Sequence, residues 1–556
     1  MSRTPDQPAS LRELSARTRD SNLQRMRKER FDVAVIGGGV TGAGVALDAS
    51  TRGLSVALIE KNDFASGTSS RSSKLIHGGL RYLEQLEFGL VYESLHERTL
   101  LSRIAPHLSK PLTFLVPVYS LAARSPLGNN RLKLAAGLWL YDFLAGRSNI
   151  GRHRWLSRDA TLELAPSLEP SDLRGAFCYY DCLTDDSRLV IEVIKSAAAY
   201  GTVVANYASA SALSKSEDGL SIIKVEDLID GGELELSARV IVNATGVWSD
   251  QISKLSDSKA MPRLRPSKGI HVVVPSEKLR NNTAVLIPSV GEDRFLFVIP
   301  WHGFTVIGTT DSDYTGDLDN PLAQTNEVDR VIKSAAAAFP SARLSVDDVV
   351  STFAGLRPLI AGNERSTKEL SRREEIYEDE SGLITITGGK LTTWRRMAEK
   401  VVDIAVRKLK TTGALKEMRD YHSVTETVEL AGGAITGDSH KEALGAASEF
   451  DLNVSTVEHL IDTYAGNYRV ICEMTGESSG LKRALTESLP NIEAEVPYAA
   501  RHEMAITVAD VLSRRTRVEL LSRDHGQACI DRVKSLLHEE SKRTINQHLD
   551  SPRRAD

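Results

Sequence analysis

The sequence predicts an α/β fold with a parallel sheet near the amino end and a helical region at the carboxyl end. A complete strand–helix–strand unit occupies residues 31–61, and further strand patterns follow at 238–246, 294–311 and 382–388. Beyond about residue 411 the strand patterns fade and helical periodicity takes over. With 556 residues, the chain is long enough for two or more domains.

The first unit, 31–61, reads FDVAVIGGGVTGAGVALDASTRGLSVALIEK. Residues 33–36 form a short apolar run that is typical of a buried parallel strand. The pattern then predicts a helix over 43–52 and a second strand over 55–59. Three glycines with GxGxxG spacing join the first strand to the helix, and an acid, Glu60, ends the second strand. This combination predicts a dinucleotide-binding site.

Each residue of this motif has a physical role in binding a dinucleotide. Gly37 allows the tight turn, Gly39 lets the backbone approach a pyrophosphate, and Gly42 permits close packing of the helix on the strand. The free N–H groups at the start of the helix attract phosphate groups. A carboxylate at Glu60 accepts hydrogen bonds from ribose hydroxyls and repels a 2′-phosphate.

The remaining elements are predicted from shorter patterns. ARVIVNATG (238–246) contains a short strand that leads into a Thr-Gly turn, and RFLFVIPWHGFTVIGTTD (294–311) reads as a hairpin with WHG as its turn. Residues 382–409 read as a strand, a Gly-Gly turn and a long amphipathic helix. We expect a helical domain over 411–556 and a polar, disordered or loosely helical extension over 1–30.

Composition and charge argue against several classes of protein. The net charge of −5 gives no support for a nucleic-acid partner. Four cysteines in so long a chain do not make a disulfide framework, and no metal site is expected, which fits a reducing cytoplasm. No run of ~18 apolar residues is present, so we expect no transmembrane helix.

The single dinucleotide motif leaves two cofactors open. The chain either uses NAD alone or holds FAD and takes electrons directly from a substrate. The long polar segment 64–81 favours FAD, because a flavin needs hydrogen bonds along its pyrimidine ring and at N5.

A series of later motifs carries a family resemblance. In chain order they are SSRSSKLIHGGLRYLE, RLVIEVIKSA, VNATGVW, KGIHVVVP, FVIPWHGFTVIGTTD, FAGLRPLIAG and TGGKLTTWRRMAE. Together with the first unit they resemble the aerobic, respiratory-type FAD-dependent glycerol-3-phosphate dehydrogenases. The match covers residues 30–410 and continues more weakly over 498–517.

The resemblance implies a fold and an activity. The fold is a glutathione-reductase-like core over 31–410, in which a Rossmann-type FAD-binding domain is interleaved with an antiparallel-sheet cap over roughly 111–180 and 265–350. The activity is oxidation of sn-glycerol 3-phosphate to dihydroxyacetone phosphate by hydride transfer from C2 to N5 of FAD, with electrons passed to a quinone. Such an enzyme is expected in the cytoplasm, bound peripherally to the inner face of the cell membrane. A homodimer is left open.

A substrate of this kind needs cations for its phosphate and a base for its C2 hydroxyl. By resemblance, the substrate-site residues are Arg81, Tyr82, His271, Arg357, Arg372 and Lys390, of which Arg81, His271, Arg357 and Lys390, with His77, are also expected to act in catalysis. His77 and His271 are the candidates for the base, because imidazole titrates near neutral pH. The sequence does not choose between them, and a packed strand histidine is the alternative for His271.

The resemblance also implies the cofactor contacts. Besides Gly37, Gly39, Gly42 and Glu60, they are Ser69, Ser70, Ser73, Lys74, Leu75, His77, Ala244, Thr245, Gly246, Gly389, Lys390, Leu391 and Thr392. A polar surface loop is the alternative for the serines, and N-capping of the next helix is the alternative for Thr392. Asp311 also matches the family, and we assign it no chemical role. The runs DDSRL (185–189) and RRTR (514–517) match it too, and we expect only ion pairing from them.

Residues 131–147, RLKLAAGLWLYDFLAGR, predict an amphipathic helix. Leu132, Trp139 and Phe143 share one face, and basic residues flank it. This pattern fits a helix that lies in a membrane interface, and a core-facing helix of the cap is the alternative.

Three other functions stay open. A glycerol-phosphate oxidase would give the electrons to oxygen instead of a quinone. An amine or amino-acid oxidase would share the flavin fold, although the several cations favour a phosphate over an amine. A flavin-containing sensor would bind the cofactor without turnover.

Overall fold

The structure, a computed structural model, describes residues 13–550 apart from 84, 293, 362–373, 417, 419, 434 and 436. The side chains of residues 81 and 543–550 lie outside this description. Two sheets and a cluster of carboxyl-terminal helices make up the described part.

The first sheet is mainly parallel. Its strands, numbered along the chain, are β1 (Arg30–Ile36), β2 (Val56–Ile59), β7 (Val203–Ala205), β8 (Ala208–Lys215), β9 (Ser221–Asp227), β10 (Glu233–Asn243), β17 (Glu374–Glu378) and β18 (Ile384–Gly388). The strand order β18-β10-β1-β2-β7 is parallel throughout. β17 pairs with β18, and β8 and β9 extend β10, in antiparallel fashion.

The second sheet is mainly antiparallel and draws its strands from two stretches of the chain. They are β3 (Leu75–Ile76), β4 (Lys110–Tyr119), β5 (Arg154–Leu156), β6 (Leu173–Leu183), β11 (Ser267–Pro275), β12 (Ala284–Pro288), β13 (Phe295–Trp301), β14 (Phe304–Gly308), β15 (Ser312–Asp313) and β16 (Ser351–Arg357). In this sheet β3 pairs with β6 and β16 pairs with β11, both antiparallel.

Sixteen α-helices cover the sheets in the described residues. They are α1 (Ala16–Lys28), α2 (Val40–Thr51), α3 (Phe88–Ile104), α4 (Arg131–Ala145), α5 (Arg158–Leu164), α6 (Asp186–Ala199), α7 (Ser249–Ser256), α8 (Ser276–Leu279), α9 (Thr325–Ala338), α10 (Trp394–Thr411), α11 (Ser439–Phe450), α12 (Val454–Tyr464), α13 (Tyr468–Met474), α14 (Glu495–His502), α15 (Val518–Leu521) and α16 (Ile530–Asp550). A π-helical turn, Asp510–Arg515, precedes α15. No described helix has both the length and the apolar character that crossing a bilayer requires.

The first sheet is buried on both faces, which explains its nearly continuous apolar strands. In β1, Val33 and Val35 pack against α2, α6 and α10. Ala34 and Ile36 face the opposite side, where α1 and the β8–β10 ribbon cover the sheet. The carboxyl-terminal helices form a separate core that packs on the second sheet through residues such as Trp301.

The predicted elements of the first unit are confirmed. β1, α2 and β2 follow in the expected order, and the helix begins at Val40 because Gly39 is its N-cap. The predicted hairpin is β13 and β14, joined by the turn at 302–303. The strand, Gly-Gly turn and helix predicted over 382–409 are β18, the turn at 388–389 and α10.

Of the two expectations for residues 1–30, disorder is wrong for residues 16–28 and helix is right, but the helix is packed and not loose. A capping box between Ser15 and Thr18 starts α1, and Leu23 and Met26 pack into the core beneath the first sheet. Arg19 is buried on the same face, where it donates hydrogen bonds to the carbonyl oxygens of residues 206 and 207. The helix is therefore a fixed part of the fold.

Candidate active site

A long cavity of about 380 Å³ lies at the carboxyl ends of the parallel strands, as expected for a dinucleotide site in an open α/β sheet. One end is bounded by Glu60 and the other by the Gly-Gly turn before α10. Of the predicted cofactor contacts, those that line it are Gly37, Gly39, Glu60, Ser69, Ala244, Thr245, Gly246, Gly389, Lys390 and Leu391.

The glycine turn at the wall of this cavity admits no side chains. Gly37 has φ +112°, and a Cβ there would lie 2.7 Å from the carbonyl oxygen of Ala244. A Cβ at Gly42 would lie 1.9 Å from the carbonyl oxygen of Gly37. Gly42 is absent from the cavity wall, so its role is to let α2 approach β1 closely.

Glu60 has the position expected of the acid at the end of β2. Its carboxylate accepts hydrogen bonds from the N–H groups of Gly38 (2.6 Å) and Asn62 (2.8 Å). Burial raises the pKa of Glu60, and these two backbone donors oppose that rise. Two backbone N–H groups thus orient the carboxylate, which lines the cavity.

A polar cavity of about 190 Å³ adjoins the Gly-Gly end of the long cavity. Among the described residues that line it are three cations, Arg71, Arg357 and Lys390, and no carboxylate. His77 and His271, the two candidate bases, also line it, together with Tyr82. The cavity is therefore suited to a small anionic ligand that loses a proton.

Arg357 is held in place by the segment between β14 and β15. Its Nη2 donates to Oγ1 of Thr309 (3.1 Å) and to the carbonyl oxygen of Thr310 (3.3 Å), and Nη1 donates to Asp311 (3.3 Å). Asp311 is buried behind the cavity and also contacts Arg294. The guanidinium is thus fixed from one side and faces the cavity with the other.

Lys390 follows the two glycines of the turn. Its Nζ lies 3.7 Å from the centre of the Tyr82 ring and 3.3 Å from Oγ of Ser94. Thr392 does not cap the following helix, because its Oγ1 accepts a hydrogen bond from the N–H of His77 (3.1 Å). This contact joins the segment of His77 to the turn that carries Lys390.

The two histidines have different surroundings. His271 lies on β11 with Nε2 2.9 Å from Oγ of Ser73, and its ring stacks on Phe353 at 4.6 Å. Burial, with Lys74 and Arg357 nearby, holds the pKa of His271 well below its ordinary value. His77 lines two cavities beside a glycine pair. The strand histidine is thus both packed and part of the site.

A third cavity of about 170 Å³ shares Ser73, His77, Tyr82 and Arg357 with the polar cavity, and Glu87 and Arg294 also line it. We call it the apolar cavity because rings and alkyl groups form one part of its wall. Most of its remaining wall consists of alkyl and ring side chains, namely Leu80, Leu90, Phe114, Leu127, Tyr179, Leu286, Phe295 and Phe297. One buried carboxylate, Asp181, also lines it and accepts hydrogen bonds from Tyr141, Arg98 and the N–H of Gly78.

Several predicted contacts differ from the expectation. Lys74 lines none of the three cavities, because its Nζ lies 2.7 Å from Asp186 and 2.7 Å from the carbonyl oxygen of Ser70. Ser70 does not line them either, and Ser73 and Leu75 line the polar and apolar cavities instead of the long one. The side chain of Arg81 and the whole of Arg372 lie outside the described residues.

Sequence reasoning missed four residues of the site. Arg71 and Thr309 line the polar cavity, and Arg294 lines the apolar one. Asp311, which we expected to have no chemical role, orients Arg357. Arg71 lies in the motif SSRSS and Asp311 in GTTD, so the family motifs around them could have indicated a place in the site. No such motif indicates a place in the site for Arg294.

Comparisons with known proteins agree with this geometry. The family model described as FAD dependent oxidoreductase matches residues 32–403, and the one described as the C-terminal domain of alpha-glycerophosphate oxidase matches residues 423–547. Glycerol-3-phosphate dehydrogenase 2 of Mycobacterium tuberculosis is 40% identical over 513 residues, which cover 92% of this chain and 85% of that protein. The chain belongs to the FAD-dependent glycerol-3-phosphate dehydrogenase family.

Two further comparisons agree with this family assignment. Aerobic glycerol-3-phosphate dehydrogenase of Bacillus subtilis is 37% identical over 516 residues, 91% of this chain and 90% of that protein. The crystal structure of glycerol-3-phosphate dehydrogenase from Bacillus halodurans complexed with FAD is 30% identical, has a TM-score of 0.75, and covers 96% of both chains. The predicted family, fold class and cofactor FAD are confirmed, and the protein is an oxidoreductase.

The residues of the long cavity fit FAD. The turn at Gly37–Gly39 has no side chain that would block a pyrophosphate at the start of α2, and Glu60 offers a carboxylate to a ribose. At the other end, the backbone of Gly389 and Lys390 reaches the polar cavity. A dinucleotide along this cavity would therefore end where the candidate base and cations lie.

Proposed function

We propose that the protein oxidises sn-glycerol 3-phosphate to dihydroxyacetone phosphate. The observation that carries this proposal is the composition of the polar cavity, on which three cations, Arg71, Arg357 and Lys390, converge together with His77 and His271. Several cations around one small cavity suit a phosphate dianion better than an ammonium group. The amine oxidase alternative is therefore the weaker one.

Arg357 binds the phosphate in this proposal. Its guanidinium is already oriented by Thr309 and Asp311, so little conformational entropy is lost when the anion binds. Lys390 adds a second charge from the turn that also borders the cofactor cavity. By resemblance Arg81 and Arg372 complete the anion site, and Tyr82 contributes its ring beside Lys390.

His77 takes the proton of the C2 hydroxyl in this proposal. Bound FAD supplies the acceptor for the hydride from C2, and the chain must remove the hydroxyl proton. His271 is a poor base because burial, Lys74 and Arg357 keep the pKa of its ring well below the ordinary value. His271 therefore acts through its hydrogen bond to Ser73, which lines the same cavity.

We further propose a quinone as the electron acceptor at a membrane surface. Leu132, Trp139 and Phe143 of α4 are 84%, 63% and 67% exposed and lie along one helical face. The opposite face packs inward through Leu138 and Tyr141, so α4 has both an inner and an outer apolar face. Such an outer face fits a helix that rests in the membrane interface, with the enzyme on the cytoplasmic side.

The apolar cavity supports this placement of the acceptor. Its wall residues Gln85 and Glu87 alternate along the chain with Leu86 and Phe88, which are exposed. The exposed apolar face of α4 and the start of α3 lie close together, since α4 contacts both α3 and the segment before it. An uncharged ring that arrives from a bilayer would meet the part of this cavity that Phe114, Phe295 and Phe297 line, next to the substrate.

Vesicle binding tests the membrane part of the proposal. Trp139→Glu should lose most of its co-sedimentation with vesicles of anionic phospholipid and keep wild-type flavin content. Met261→Glu is the matched control, because Met261 is 81% exposed but lies outside α4. Equal binding by wild type and Trp139→Glu would contradict docking through α4.

Light scattering of the same samples, without vesicles, gives the molar mass in solution and so tests whether the protein is a homodimer.

Anaerobic reduction tests the reaction itself. Adding sn-glycerol 3-phosphate to the purified yellow enzyme without oxygen should bleach the flavin absorbance, and glycerol should not. Arg357→Ala should bleach much more slowly at the same substrate concentration. A folded, flavin-loaded enzyme that does not bleach would overturn the proposed substrate.

The acceptor needs a separate measurement. With sn-glycerol 3-phosphate in excess, the rates of hydrogen peroxide formation and of reduction of a soluble quinone are compared in one preparation. Faster quinone reduction supports the dehydrogenase. Peroxide formation at the full rate of turnover would make the protein an oxidase and would leave the substrate unchanged.

A further inference from the structure

One carboxylate, that of Asp186, binds the loop that contains Ser73. Oδ2 of Asp186 accepts hydrogen bonds from the N–H (3.0 Å) and the hydroxyl (2.7 Å) of Ser72. Oδ1 of the same group lies 2.7 Å from Nζ of Lys74, and both side chains of that ion pair are fully buried. The two residues on either side of Ser73 are thus tied to Asp186.

The same acidic site is reached from the carboxyl-terminal helical region. Arg517, directly before α15, has Nε 2.9 Å from Oδ2 of Asp185, and its Nη2 contacts the other oxygen of that carboxylate. Nη2 also lies 3.8 Å from Oδ1 of Asp186. The backbone of Arg517 has φ +64°, and its Nη1 donates to the carbonyl oxygen of Ser513 (3.0 Å).

This cluster pairs two acidic with two basic side chains and is buried apart from 12% of Asp185 and 5% of Arg517. Asp185 caps α6 and Asp186 begins it, where the helix dipole favours negative charge. Arg517 and Lys74 supply two positive charges opposite these two acids. Because a buried charge that loses its partner is costly, the geometry of the four side chains is strongly coupled.

The cluster connects the helical region to the active site. Ser73 lies between its two tied neighbours, lines the polar cavity, and has its hydroxyl 2.9 Å from Nε2 of His271. A continuous series of contacts thus runs from Arg517 through Asp186 and the loop to His271. The runs DDSRL and RRTR, for which the sequence predicts only ion pairing, supply the two ends of this series.

We propose that Arg517 and Asp186 are positioning residues that hold Ser73 against His271, so that the carboxyl-terminal region sets the geometry of the substrate cavity. The proposal rests on the proposed function, since it takes the polar cavity to be the substrate site. Arg517 lines none of the three cavities and acts only through the loop.

A double-mutant cycle tests the route of the effect. Arg517→Lys keeps the charge but cannot bridge two carboxylates in the same fork, so it should slow anaerobic flavin reduction by at least about fivefold. In the Ser73→Ala background the same change should have almost no effect, because the contact that it acts on is already lost. Equal slowing in both backgrounds would overturn the proposal, as would no slowing in either.

Hydrogen–deuterium exchange gives a readout that does not depend on turnover. In the full-length holoenzyme, Arg517→Lys should speed exchange in the peptide that contains residues 70–76, where the N–H of Ser72 is bonded to Asp186. Arg501→Lys is the matched control in the same region, because Arg501 pairs with Glu477 and Glu540. Unchanged exchange in that peptide would contradict the proposal.

A failure of the proposed function can be told apart from a failure of this inference. If the wild-type enzyme does not bleach with sn-glycerol 3-phosphate, the proposed function fails, and the exchange experiment still tests the loop. If Arg517→Lys does not fold, Asp186→Asn takes its place in both experiments, because the amide keeps the size of Asp186 and removes its charge. If Asp186→Asn slows flavin reduction equally in the wild-type and Ser73→Ala backgrounds, the proposal is overturned in the same way.

Discussion

Nη1 of Arg357 lies 3.3 Å from Oδ1 of Asp311, and Oδ2 of the same carboxylate lies 3.4 Å from Nη2 of Arg294. Asp311 also accepts a hydrogen bond from Ser267. Two guanidinium groups therefore share one buried carboxylate, and Arg357 also lines the polar cavity. The carboxylate thus orients a guanidinium that can bind a phosphate in that cavity.

Asp311→Asn should weaken substrate binding more than it slows the chemical step. The amide turns one acceptor into a donor that faces a guanidinium, so Arg357 loses its fixed orientation. We expect KM for sn-glycerol 3-phosphate to rise about tenfold or more, with a smaller fall in kcat. Steady-state kinetics with a soluble quinone measures both. Asp313→Asn is the control, because Asp313 is a half-exposed acid paired with Arg265. This change should alter KM by less than about twofold.

His77→Asn should slow flavin reduction far more than His271→Asn. A positioned general base contributes about 10²–10⁴-fold to a rate. His271 is desolvated between Lys74, Arg357 and the Phe353 ring, so its loss should remove only the support of Ser73. Anaerobic stopped-flow at saturating substrate gives both rate constants. A larger loss in His271→Asn would identify the strand histidine as the base.

Gly42→Ala should abolish stable flavin binding. The new methyl group would lie 1.9 Å from the carbonyl oxygen of Gly37, and backbone cannot yield as a flexible side chain does. The turn and α2 would have to separate, which removes the phosphate site at the start of the helix. The ratio of flavin to protein absorbance after gel filtration measures the loss. Gly445→Ala, in α11 with open space around it, should keep full flavin content.

Local pattern was enough to predict the first strand–helix–strand unit, but not β7, β8, β9 or β17 of the same sheet. The apolar run of β1, the glycine spacing and Glu60 each depend on neighbours in the chain, so β1, α2 and β2 occur as expected. Helix α1 was not predicted as a packed element. Its buried face includes Arg19, whose burial depends on Asp227 and on carbonyl groups far away in the chain.

The candidate site was predicted only in part, because its residues come from distant segments. Arg357 and Lys390 stand in motifs, but Arg294 joins them only through Asp311 in the folded chain. Lys74 was placed with the flavin by the family resemblance. A left-handed backbone at Lys74, φ +60°, accompanies a side chain that turns inward to Asp186, and no sequence pattern indicates that direction.

The position of His107 predicts a loss of stability in mild acid. Both ring nitrogens are buried, and neither has a hydrogen-bond partner among the described residues. Burial, with Arg188, Lys110 and Lys195 nearby, lowers the pKa of His107 to about 3. The unfolded chain takes up a proton below about pH 6.5, whereas the folded protein does not until about pH 3. Stability from this site is therefore fully present above about pH 6.5 and falls as the pH is lowered.

At pH 5 the loss from His107 alone should be about 2 kcal/mol. Burial also lowers the pKa of His502 to about 4, so other histidines add to the total. The measurement is the free energy of unfolding in urea at about pH 7.5 and at about pH 5. The decrease between these two pH values should be about 2 kcal/mol smaller in His107→Leu than in wild type. His422→Leu should fall as much as wild type, because the side chain of His422 is 91% exposed and stays in water in both states. The same decrease in all three proteins would mean that His107 gains a proton in the folded enzyme, through water or movement of the helices that cover it.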